Sequence, residues 1–594
     1  MGQIAGVCCK KTQAVIALWA ILVLTQQVTY AQDDYDFIIV GGGTAGCLLA
    51  ARLSEVSNWK VLLLEAGFSE HFFNDIPLIG PMFILSPYNW GFRAEKSDKF
   101  GLGLKDGRLI YPKGKGLGGS SLINAQIYTK GNRKDYDKWA EMGNEGWNYA
   151  NVTKYFLKHE KMNIPQLQKE TKYHSTTGEL DISYPPYHTE LATAFIDSGI
   201  EKGYKYVDYN GVNQTGFSYV QTTMKNGERV SSYGAFLRGV KRDNLVIKTK
   251  STVTKIIIDP KTGKAKGVEY KMFNLIPRKA FAKKEVILSA GAINSPQLLM
   301  LSGIGPKKHL EKHNIIVIKD LAVGHNLQDH VGLLSFFFTI NKTEDIRLDH
   351  MMNVFKNAIR YVKDDSGEFT VPSGFEAINF VDIGDKDDRP EMELFFAGQL
   401  LPTIPFYLSP LGVLNESYNE FYSDLKEKNG FTILPILLHP YSSGKIELKD
   451  TNPHSDPLIY PGYFSDHRDL EVIIKGLNHA LNIIDAEALK KFGAEVYRKP
   501  LPPCRGYTFG SDDYWECSIR QLTLCIQHAA GTAKMGPASD PDAVVDPRLR
   551  VKGFDNLRVV DASVMPTVPS GHTMAPVYMI AEKAADMIKE DWKQ

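Results

Sequence analysis

The chain has 594 residues, of which 43% are apolar and 23% charged, and its 69 Lys and Arg balance 68 Asp and Glu. These proportions are those of an ordinary globular protein and exclude long disorder or collagen-like repeats. A net charge of +1 offers no field for gathering nucleic acid or coating an anionic membrane. The length suits several domain-sized units, or one large enzyme of two interleaved domains.

Residues 1–31 have the pattern of a cleaved signal peptide. Lys10 and Lys11 precede an apolar run over 14–24, and small residues at the cleavage positions end at Ala31. The run is too short for a bilayer core, which needs about 20 residues, so a membrane anchor is the less favoured alternative. The chain also carries Asn-x-Ser/Thr sequons at Asn151, Asn213, Asn341 and Asn415. We expect a secreted glycoprotein without a membrane span.

Cysteine usage leaves one question open. Cys8 and Cys9 lie in the predicted signal peptide. Cys504 and Cys517 close a short polar loop and could form a disulfide in an oxidising compartment; two free thiols are the alternative. We interpret Cys525 as a buried thiol without a chemical role.

A dinucleotide-binding motif follows the signal peptide. Residues 35–40 predict a buried strand, and residues 47–53 predict a helix with small residues against the sheet. Between them, Gly41, Gly43 and Gly46 have the spacing G-x-G-x-x-G. Glycine here turns the chain sharply, lets backbone amides approach a pyrophosphate, and lets the helix pack closely on the strand.

A second predicted strand, 61–64, ends in Glu65, which is placed to accept hydrogen bonds from an adenosine ribose. A glycine triplet alone would be weak evidence for a dinucleotide site. A strand, the glycine triplet, a helix, a second strand and an acidic residue in this order together predict such a site. Its predicted contacts are Gly41, Gly43, Thr44, Ala45, Gly46 and Glu65.

Two further segments bear on which dinucleotide is bound. Residues 114–124 begin with four glycines in six residues, so their backbone can pass close to a flat ligand; a flexible surface loop is the alternative. Residues 285–291 predict a strand and turn. Asn294, Ser295 and Pro296 are predicted to begin a helix, with Pro296 in its first turn.

Segments 114–124 and 291–305 resemble the two signature stretches of the glucose-methanol-choline (GMC) flavin oxidoreductases, and so do segments 323–330 and 557–566. The resemblance covers the chain from about Asp34 to its end and is closest to secreted insect members.

This resemblance implies an α/β fold with a Rossmann-like FAD-binding domain that is discontinuous, at 34–331 and 524–594. Lid and connecting segments would lie inside 70–230. An α+β substrate-binding domain, an antiparallel sheet backed by helices, would be inserted at 332–523.

The resemblance also implies roles for single residues. Gly119, Ser121 and Asn124 would lie along the flavin, Val253 would meet the adenine through its backbone, and Asp561 and Ala562 would lie near the ribityl chain and pyrophosphate. Members that tether the flavin covalently have a histidine before the asparagine; here Ile123 stands there, so we expect non-covalent FAD.

A helix is predicted after Thr573, with Pro576 in its first turn. Its N-terminal amides and partial positive charge could stabilise the reduced flavin, or the helix could simply close the dinucleotide domain.

Two histidines are the candidate catalytic residues. His528 and His572 each lie in a turn of small residues, and a histidine pKa of about 6.5 suits removal of an alcohol proton. A structural role is the alternative for any single histidine, but these two fall where the GMC family carries its active-site pair. Relatives commonly have proline and cysteine where this chain has Ala529 and Ala533, which leaves the orientation of the first imidazole open.

The favoured prediction is a secreted FAD enzyme that oxidises an alcohol to an aldehyde, ketone or lactone. The carbon gives hydride to the flavin, a histidine takes the hydroxyl proton, and oxygen or a quinone-like acceptor receives the electrons. The alternatives are a nicotinamide-dependent dehydrogenase and a flavin-retaining protein with a binding or structural role.

The sequence shows no metal-ligand spacing. It does not decide between a sugar, an ecdysteroid and an aromatic alcohol, and it leaves the oligomeric state unknown.

Overall fold

The computed structural model describes residues 33–342, 346, 351–384, 388–403 and 418–593. The predicted signal peptide and the sequon at Asn415 lie outside these residues. Within these ranges, no helix is both long enough and apolar enough to cross a bilayer.

Strands and helices are numbered in chain order. The strands are β1 (Asp33–Val40), β2 (Val61–Leu64), β3 (Phe92–Arg93), β4 (Ile110–Tyr111), β5 (Glu160–Met162), β6 (Leu180–Ser183), β7 (Gly216–Tyr219), β8 (Thr222–Lys225), β9 (Glu228–Arg229), β10 (Leu245–Lys248), β11 (Ser251–Ile258), β12 (Ala265–Met272), β13 (Ile276–Leu288), β14 (Val331–Leu333), β15 (Phe337–Ile340), β16 (Phe375–Val381), β17 (Met392–Ala397), β18 (Asn429–Leu437), β19 (Lys445–Glu447), β20 (Leu458–Tyr460), β21 (Glu495–Val496), β22 (Thr523–Cys525) and β23 (Leu557–Val559).

The α-helices of the described ranges are α1 (Thr44–Leu53), α2 (Arg133–Glu141), α3 (Tyr149–His159), α4 (Glu190–Glu201), α5 (Ser232–Phe236), α6 (Gly291–Leu301), α7 (Lys307–Lys312), α8 (Met351–Asp364), α9 (Asn419–Lys426), α10 (Arg468–Ile484), α11 (Glu487–Lys490), α12 (Asp512–Gln521) and α13 (Met574–Asp591).

The first sheet carries the predicted dinucleotide-binding motif. Its strand order is β10-β2-β1-β13-β12-β11, and β23 pairs with β13. β1 runs parallel to both β2 and β13, and β2 is buried along its whole length, as expected for a parallel strand covered on both faces. The predicted strands at 35–40 and 61–64 are confirmed, and α1 begins three residues before the predicted helix start.

The second sheet is antiparallel. Six of its strands follow the order β21-β15-β18-β17-β16-β7, and β14 pairs with both β18 and β22. α4 packs on β7, β16 and β17, and α10 packs on β17 and β18. The predicted fold class, an α/β dinucleotide domain with an antiparallel sheet backed by helices, is therefore confirmed. β7 pairs with β16, although it lies inside 70–230, where lid and connecting segments were predicted.

The start of α6 differs from the prediction. The helix begins at Gly291, so Pro296 lies in its second turn and not its first. A proline there cannot donate to the carbonyl four residues earlier, that of Ala292. The Thr532 hydroxyl donates to this carbonyl instead, at 2.6 Å. A tertiary contact thus compensates for the local defect.

The side chains of β17 alternate between the two faces of the second sheet. Phe396 faces the helices and stacks on Phe195 of α4 with ring centroids 4.8 Å apart. Phe395, the residue before it, lines a cavity on the other face. Adjacent phenylalanines therefore serve the core and the cavity separately.

Cys504 and Cys517 form a disulfide with Cα atoms 5.9 Å apart, which is the first of the two alternatives considered above. It ties the loop before α12 to that helix. Cys525 is free and buried.

Candidate active site

A cavity of about 570 Å³ is lined by residues from both sheets and from the loops between them. It brings together nearly all of the residues predicted from the sequence. These are Gly41, Gly43, Thr44, Ala45, Glu65, Gly119, Ser121, Asn124, Val253, His528, Asp561, Ala562, His572 and Thr573. Gly46 does not line the cavity; a Cβ there would lie 1.8 Å from the carbonyl oxygen of Gly41, so its role is the close packing of α1 on the turn.

Two glycine-rich loops meet at the floor of the cavity. A Cβ on Gly119 would lie 2.6 Å from Cα of Gly43, and Gly119 has a φ of +54°, which favours glycine. The N-terminus of α1 follows Gly43 and has no side-chain cap. Backbone amides at a cradle free of Cβ atoms suit a pyrophosphate, so this end of the cavity fits a dinucleotide.

Two carboxylates that are predicted to contact the cofactor accept hydrogen bonds from other groups of the protein. Glu65 accepts from the backbone N–H of Gly42 at 2.8 Å and of Gly67 at 2.7 Å, and burial raises its pKa to about 7. Asp561 accepts from the N–H of Gly291 at 2.8 Å and from the Ser295 hydroxyl at 2.6 Å. The Asp561 carboxylate therefore fastens the start of α6 beside the cavity.

Asn124 is held in one orientation. Its Oδ1 accepts from Nη1 of Arg229 at 2.7 Å, and its Nδ2 lies 3.1 Å from the sulfur of Met574 in α13. Arg229 is 2% exposed, and burial lowers its pKa to about 10. These contacts join the second glycine-rich loop to the N-terminus of α13, which has Thr573 as its cap residue and no side-chain cap.

His528 follows β22 and is held from two sides. Its backbone N–H donates to Oδ1 of Asp329 at 2.6 Å, and the carbonyl of Gln527 accepts from Nζ of Lys113. Nδ1 of its imidazole lies 2.8 Å from Nδ1 of His330. These contacts set the orientation of the His528 imidazole, which the sequence left open because Ala529 and Ala533 replace the residues common in relatives.

Asp329 is the centre of a buried cluster behind His528. Its Oδ2 accepts from the hydroxyls of Tyr111 and Tyr463, the latter at 2.8 Å, and from Sγ of Cys525 at 3.2 Å. Burial raises the pKa of Asp329. The cluster gives Cys525 a structural partner.

His572 lies against the second sheet. Its backbone N–H donates to Oγ1 of Thr129 at 2.6 Å, and its Nε2 lies 3.0 Å from Oε1 of Glu393. The ring meets Phe395 edge-on at 5.3 Å and His528 at 4.7 Å between centroids. The two predicted histidines therefore touch each other at the cavity.

The electrostatics keep His528 neutral. Burial lowers its pKa well below the usual 6.5, and the neighbouring His572, His330 and Lys113 lower it further. Burial also lowers the pKa of His330 to about 3. A neutral imidazole near pH 7 can act as a base.

Sequence reasoning did not assign roles to His330, Glu393 or Arg229. His330 lies in segment 323–330, whose resemblance was noted, and Glu393 is the one acid in the otherwise apolar β17; either could have been suspected. Arg229 lies in a two-residue strand, which carries no periodic signal. In the described ranges, no group of three or more His, Cys, Asp and Glu could hold a metal ion.

Comparison with known proteins agrees with this geometry. Family models of GMC oxidoreductases match residues 35–332 and 440–581. A glucose dehydrogenase (FAD, quinone) of Drosophila pseudoobscura pseudoobscura is 39% identical over 563 residues, which cover 94% of this chain and 87% of the relative. An ecdysone oxidase of Bombyx mori is 38% identical, covering 94% of this chain and 82% of the relative.

Solved structures are similar over the same length. A pyridoxine 4-oxidase from Mesorbium loti superimposes with a TM-score of 0.77 and 27% identity, covering 93% of this chain and 98% of that one. A formate oxidase gives a TM-score of 0.83 and 26% identity, covering 95% and 99%. The chain therefore belongs to the GMC oxidoreductase family and is an FAD-dependent oxidoreductase that acts on CH–OH groups.

Proposed function

We propose that this enzyme holds FAD in the glycine-lined part of the cavity and oxidises an alcohol at the paired imidazoles of His528 and His572. The observation that carries the proposal is the pair itself, with ring centroids 4.7 Å apart in the same cavity as the glycine-rich loops. Asn124 and Thr573 line that cavity too, as expected of residues along a flavin.

The residues of the nucleotide end suit FAD. Gly43 and Gly119 leave backbone open to the pyrophosphate, Glu65 offers a carboxylate to the ribose, and Val253 lies at the cavity for the adenine. When bound, FAD supplies the acceptor for the hydride of the alcohol carbon. Ile123 carries no nucleophile, so the attachment is non-covalent.

The contact between His528 and His330 bears on where the proton of His528 lies. The two Nδ1 atoms lie 2.8 Å apart, so one ring donates and the other accepts. We propose that His528 donates through its Nδ1 and that Nδ1 of His330 accepts. This leaves Nε2 of His528 as the free lone pair that takes the hydroxyl proton.

His572 has the complementary role of holding the alcohol oxygen. Its Nε2 is engaged by Glu393, which is fully buried, so the proton of this ring is kept on the side of the carboxylate. The other nitrogen, Nδ1, remains for the substrate hydroxyl. The two imidazoles thus position one hydroxyl while only His528 removes its proton.

The proposed enzyme works outside the cell as a glycoprotein. Three observations support this: the predicted signal peptide at 1–31, the disulfide of Cys504 and Cys517, and exposed asparagines at the sequons Asn151, Asn213 and Asn341. N-terminal sequencing of exported protein should begin near Gln32.

A quinone-like compound is the proposed electron acceptor, because the relative from Drosophila pseudoobscura pseudoobscura is named a glucose dehydrogenase (FAD, quinone). Reoxidation of the reduced enzyme by a quinone should be faster than reoxidation by oxygen. The reverse order would make the enzyme an oxidase.

Anaerobic addition of alcohols to the purified yellow protein tests the proposal. We expect bleaching of the flavin band by at least one alcohol, and release of intact FAD by acid. An FAD-loaded protein that no alcohol bleaches would support the remaining alternative, a flavin-retaining protein with a binding or structural role. Flavin that stays with the acid-precipitated chain would contradict the non-covalent attachment.

A further inference from the structure

The part of the cavity away from the nucleotide end has an almost continuous apolar wall. It is lined by Leu334, Phe375, Phe395, Leu401, Leu434 and Ile436. All six residues belong to a buried hydrophobic cluster that is separate from the main core of the protein. The cluster therefore surrounds a chamber as well as stabilising the fold.

Sheet register explains this wall. Phe395 of β17 is opposite Leu434 of β18, and Glu393 is opposite Ile436, so these four side chains share one face of the sheet. Among the residues of β17 and β18 on this face, Glu393 alone is charged, and it is paired with His572. Within the part of the chain that the structure describes, the wall therefore offers no free charged group to a substrate.

An aromatic stack leads to the reacting groups. Phe375 stacks on Phe395 with centroids 3.9 Å apart and planes at 7°, and Phe395 meets the imidazole of His572 at 5.3 Å. A flat apolar group that packs against this stack would place an attached carbinol carbon beside the histidines.

A polar side chain in the cavity wall, that of Gln126, is uncommitted. Gln126 lines the cavity and is fully buried, yet neither atom of its amide has a hydrogen-bond partner among the described residues. Its backbone is held at a φ of +63°, in the left-handed region that non-glycine residues adopt uncommonly. A buried amide without partners fits a ligand that carries one complementary polar group.

We propose that the substrate is an alcohol whose hydroxyl-bearing carbon belongs to, or is attached to, an apolar ring skeleton with at most one further polar group, and that it is not a sugar. This inference rests on the proposed alcohol oxidation and narrows it. The carbinol carbon gives hydride to FAD, the hydroxyl proton goes to His528, and the product is the corresponding aldehyde or ketone.

The chamber is unsuited to a hexose for a physical reason. A hexose carries hydroxyls around its ring, and the six apolar side chains of the wall offer these hydroxyls no hydrogen-bond partner. Each hydroxyl added to a ligand in an apolar pocket costs up to about 10²-fold in kcat/KM. The chain is 39% identical to a glucose dehydrogenase, but this similarity does not imply that the chamber accepts glucose.

Anaerobic flavin reduction with matched alcohols tests the inference. The set contains benzyl alcohol, cyclohexylmethanol, a sterol and D-glucose, each measured for kcat/KM on the FAD-loaded enzyme. We expect at least one of the ring alcohols to exceed glucose by about 10²-fold or more. Comparing kcat/KM among benzyl alcohol, cyclohexylmethanol and the sterol shows whether the preferred skeleton is aromatic, alicyclic or sterol-like.

Two neighbouring residues give a matched pair of variants. Phe395→Asn puts an amide into the chamber and should lower kcat/KM for the preferred ring alcohol by about tenfold or more, reducing its lead over glucose. Phe396→Leu changes the opposite face of the same strand and should lower thermal stability while leaving the ratio between the alcohols unchanged.

The outcomes separate the two proposals. Glucose reducing the flavin as fast as every ring alcohol would overturn the substrate class and leave alcohol oxidation standing. An unchanged ratio of kcat/KM between the ring alcohol and glucose in a folded, FAD-loaded Phe395→Asn variant would also overturn the substrate class, because the wall would then not contact the substrate. If no alcohol of any kind reduces bound FAD, the proposed function fails and the substrate class fails with it.

Discussion

The two ends of the cavity are built in different ways. The nucleotide end consists of glycine turns, helix N-termini and engaged carboxylates, which come mainly from short local motifs. The chamber end consists of side chains from β16, β17 and β18, namely Phe375, Phe395, Leu434 and Ile436, together with His528 and His572, and these residues are far apart in the chain. The first end presents backbone to its ligand and the second presents side chains. We therefore expect changes at the nucleotide end to affect FAD retention, and changes at the chamber end to affect the rate of flavin reduction.

Removal of the proposed base gives the largest effect. His528→Ala should slow anaerobic flavin reduction by about 10² to 10⁴-fold, equivalent to about 3 to 5 kcal/mol in the barrier, while FAD content stays unchanged. His572→Asn should be milder, because asparagine still hydrogen-bonds the alcohol oxygen. Greater damage in His572→Asn would exchange the two roles, and wild-type rates in both variants would make these histidines structural.

A change at the nucleotide end should act on binding instead. Gly119→Ala puts a Cβ 2.6 Å from Cα of Gly43 at a φ of +54°, so we expect FAD affinity to fall by on the order of 10²-fold. Gly43→Ala is the comparison for loop packing alone, since its Cβ would meet Gly119 at an ordinary 3.7 Å but would still face the pyrophosphate.

Fluorescence titration of the apoproteins with FAD measures this affinity, and thermal unfolding without FAD measures the packing of the loops. Only Gly119→Ala should lower the unfolding temperature of the apoprotein. Wild-type FAD affinity in Gly119→Ala would show that the meeting of the two loops does not form the cofactor site.

The carboxylate behind His572 should have an intermediate effect. Glu393→Gln keeps the shape of the side chain but replaces a hydrogen bond to a charged group, which contributes about 1.5 to 3 kcal/mol. Flavin reduction should slow by about 10 to 10²-fold, with FAD content unchanged. If Glu393→Gln lost FAD to the same extent as it lost the rate of flavin reduction, Glu393 would act at the nucleotide end, and the difference between the two ends would not hold.

The smallest effect is a shift in the pH profile. Burial together with His572, His330 and Lys113 lowers the pKa of His528, so the rate should fall with acid only well below pH 6.5. Protonated His528 cannot act as a base, and the rate is therefore lost as pH decreases through this lowered pKa.

Lys113→Gln removes the positive charge of Lys113 and retains a donor for the carbonyl of Gln527. The pKa of His528 should rise, and the acid limb of the reduction rate should move to higher pH by up to about one unit. An acid limb that moves to lower pH would contradict this electrostatic assignment.

The nucleotide end was largely predictable because its chemistry depends on backbone. A glycine pattern between a buried strand and a helix specifies a turn through local sterics alone, and β1, α1 and β2 formed where the pattern indicated. The start of α6 was wrongly predicted because Pro296 was taken as a first-turn residue. The hydroxyl of Thr532, distant in sequence, satisfies the carbonyl that this proline leaves free.

The sequence by itself determined the family, the cofactor and the fold class and indicated the two candidate histidines, since each of these rests on short motifs in the chain. Only the tertiary structure decided how those histidines are held. It joined His528 to Asp329 and His330 and His572 to Glu393. It also decided which face of β17 lines the chamber, because sheet register and helix packing depend on contacts between distant segments. The physical reason is that short motifs specify backbone shape, whereas the surroundings of a side chain depend on the whole fold.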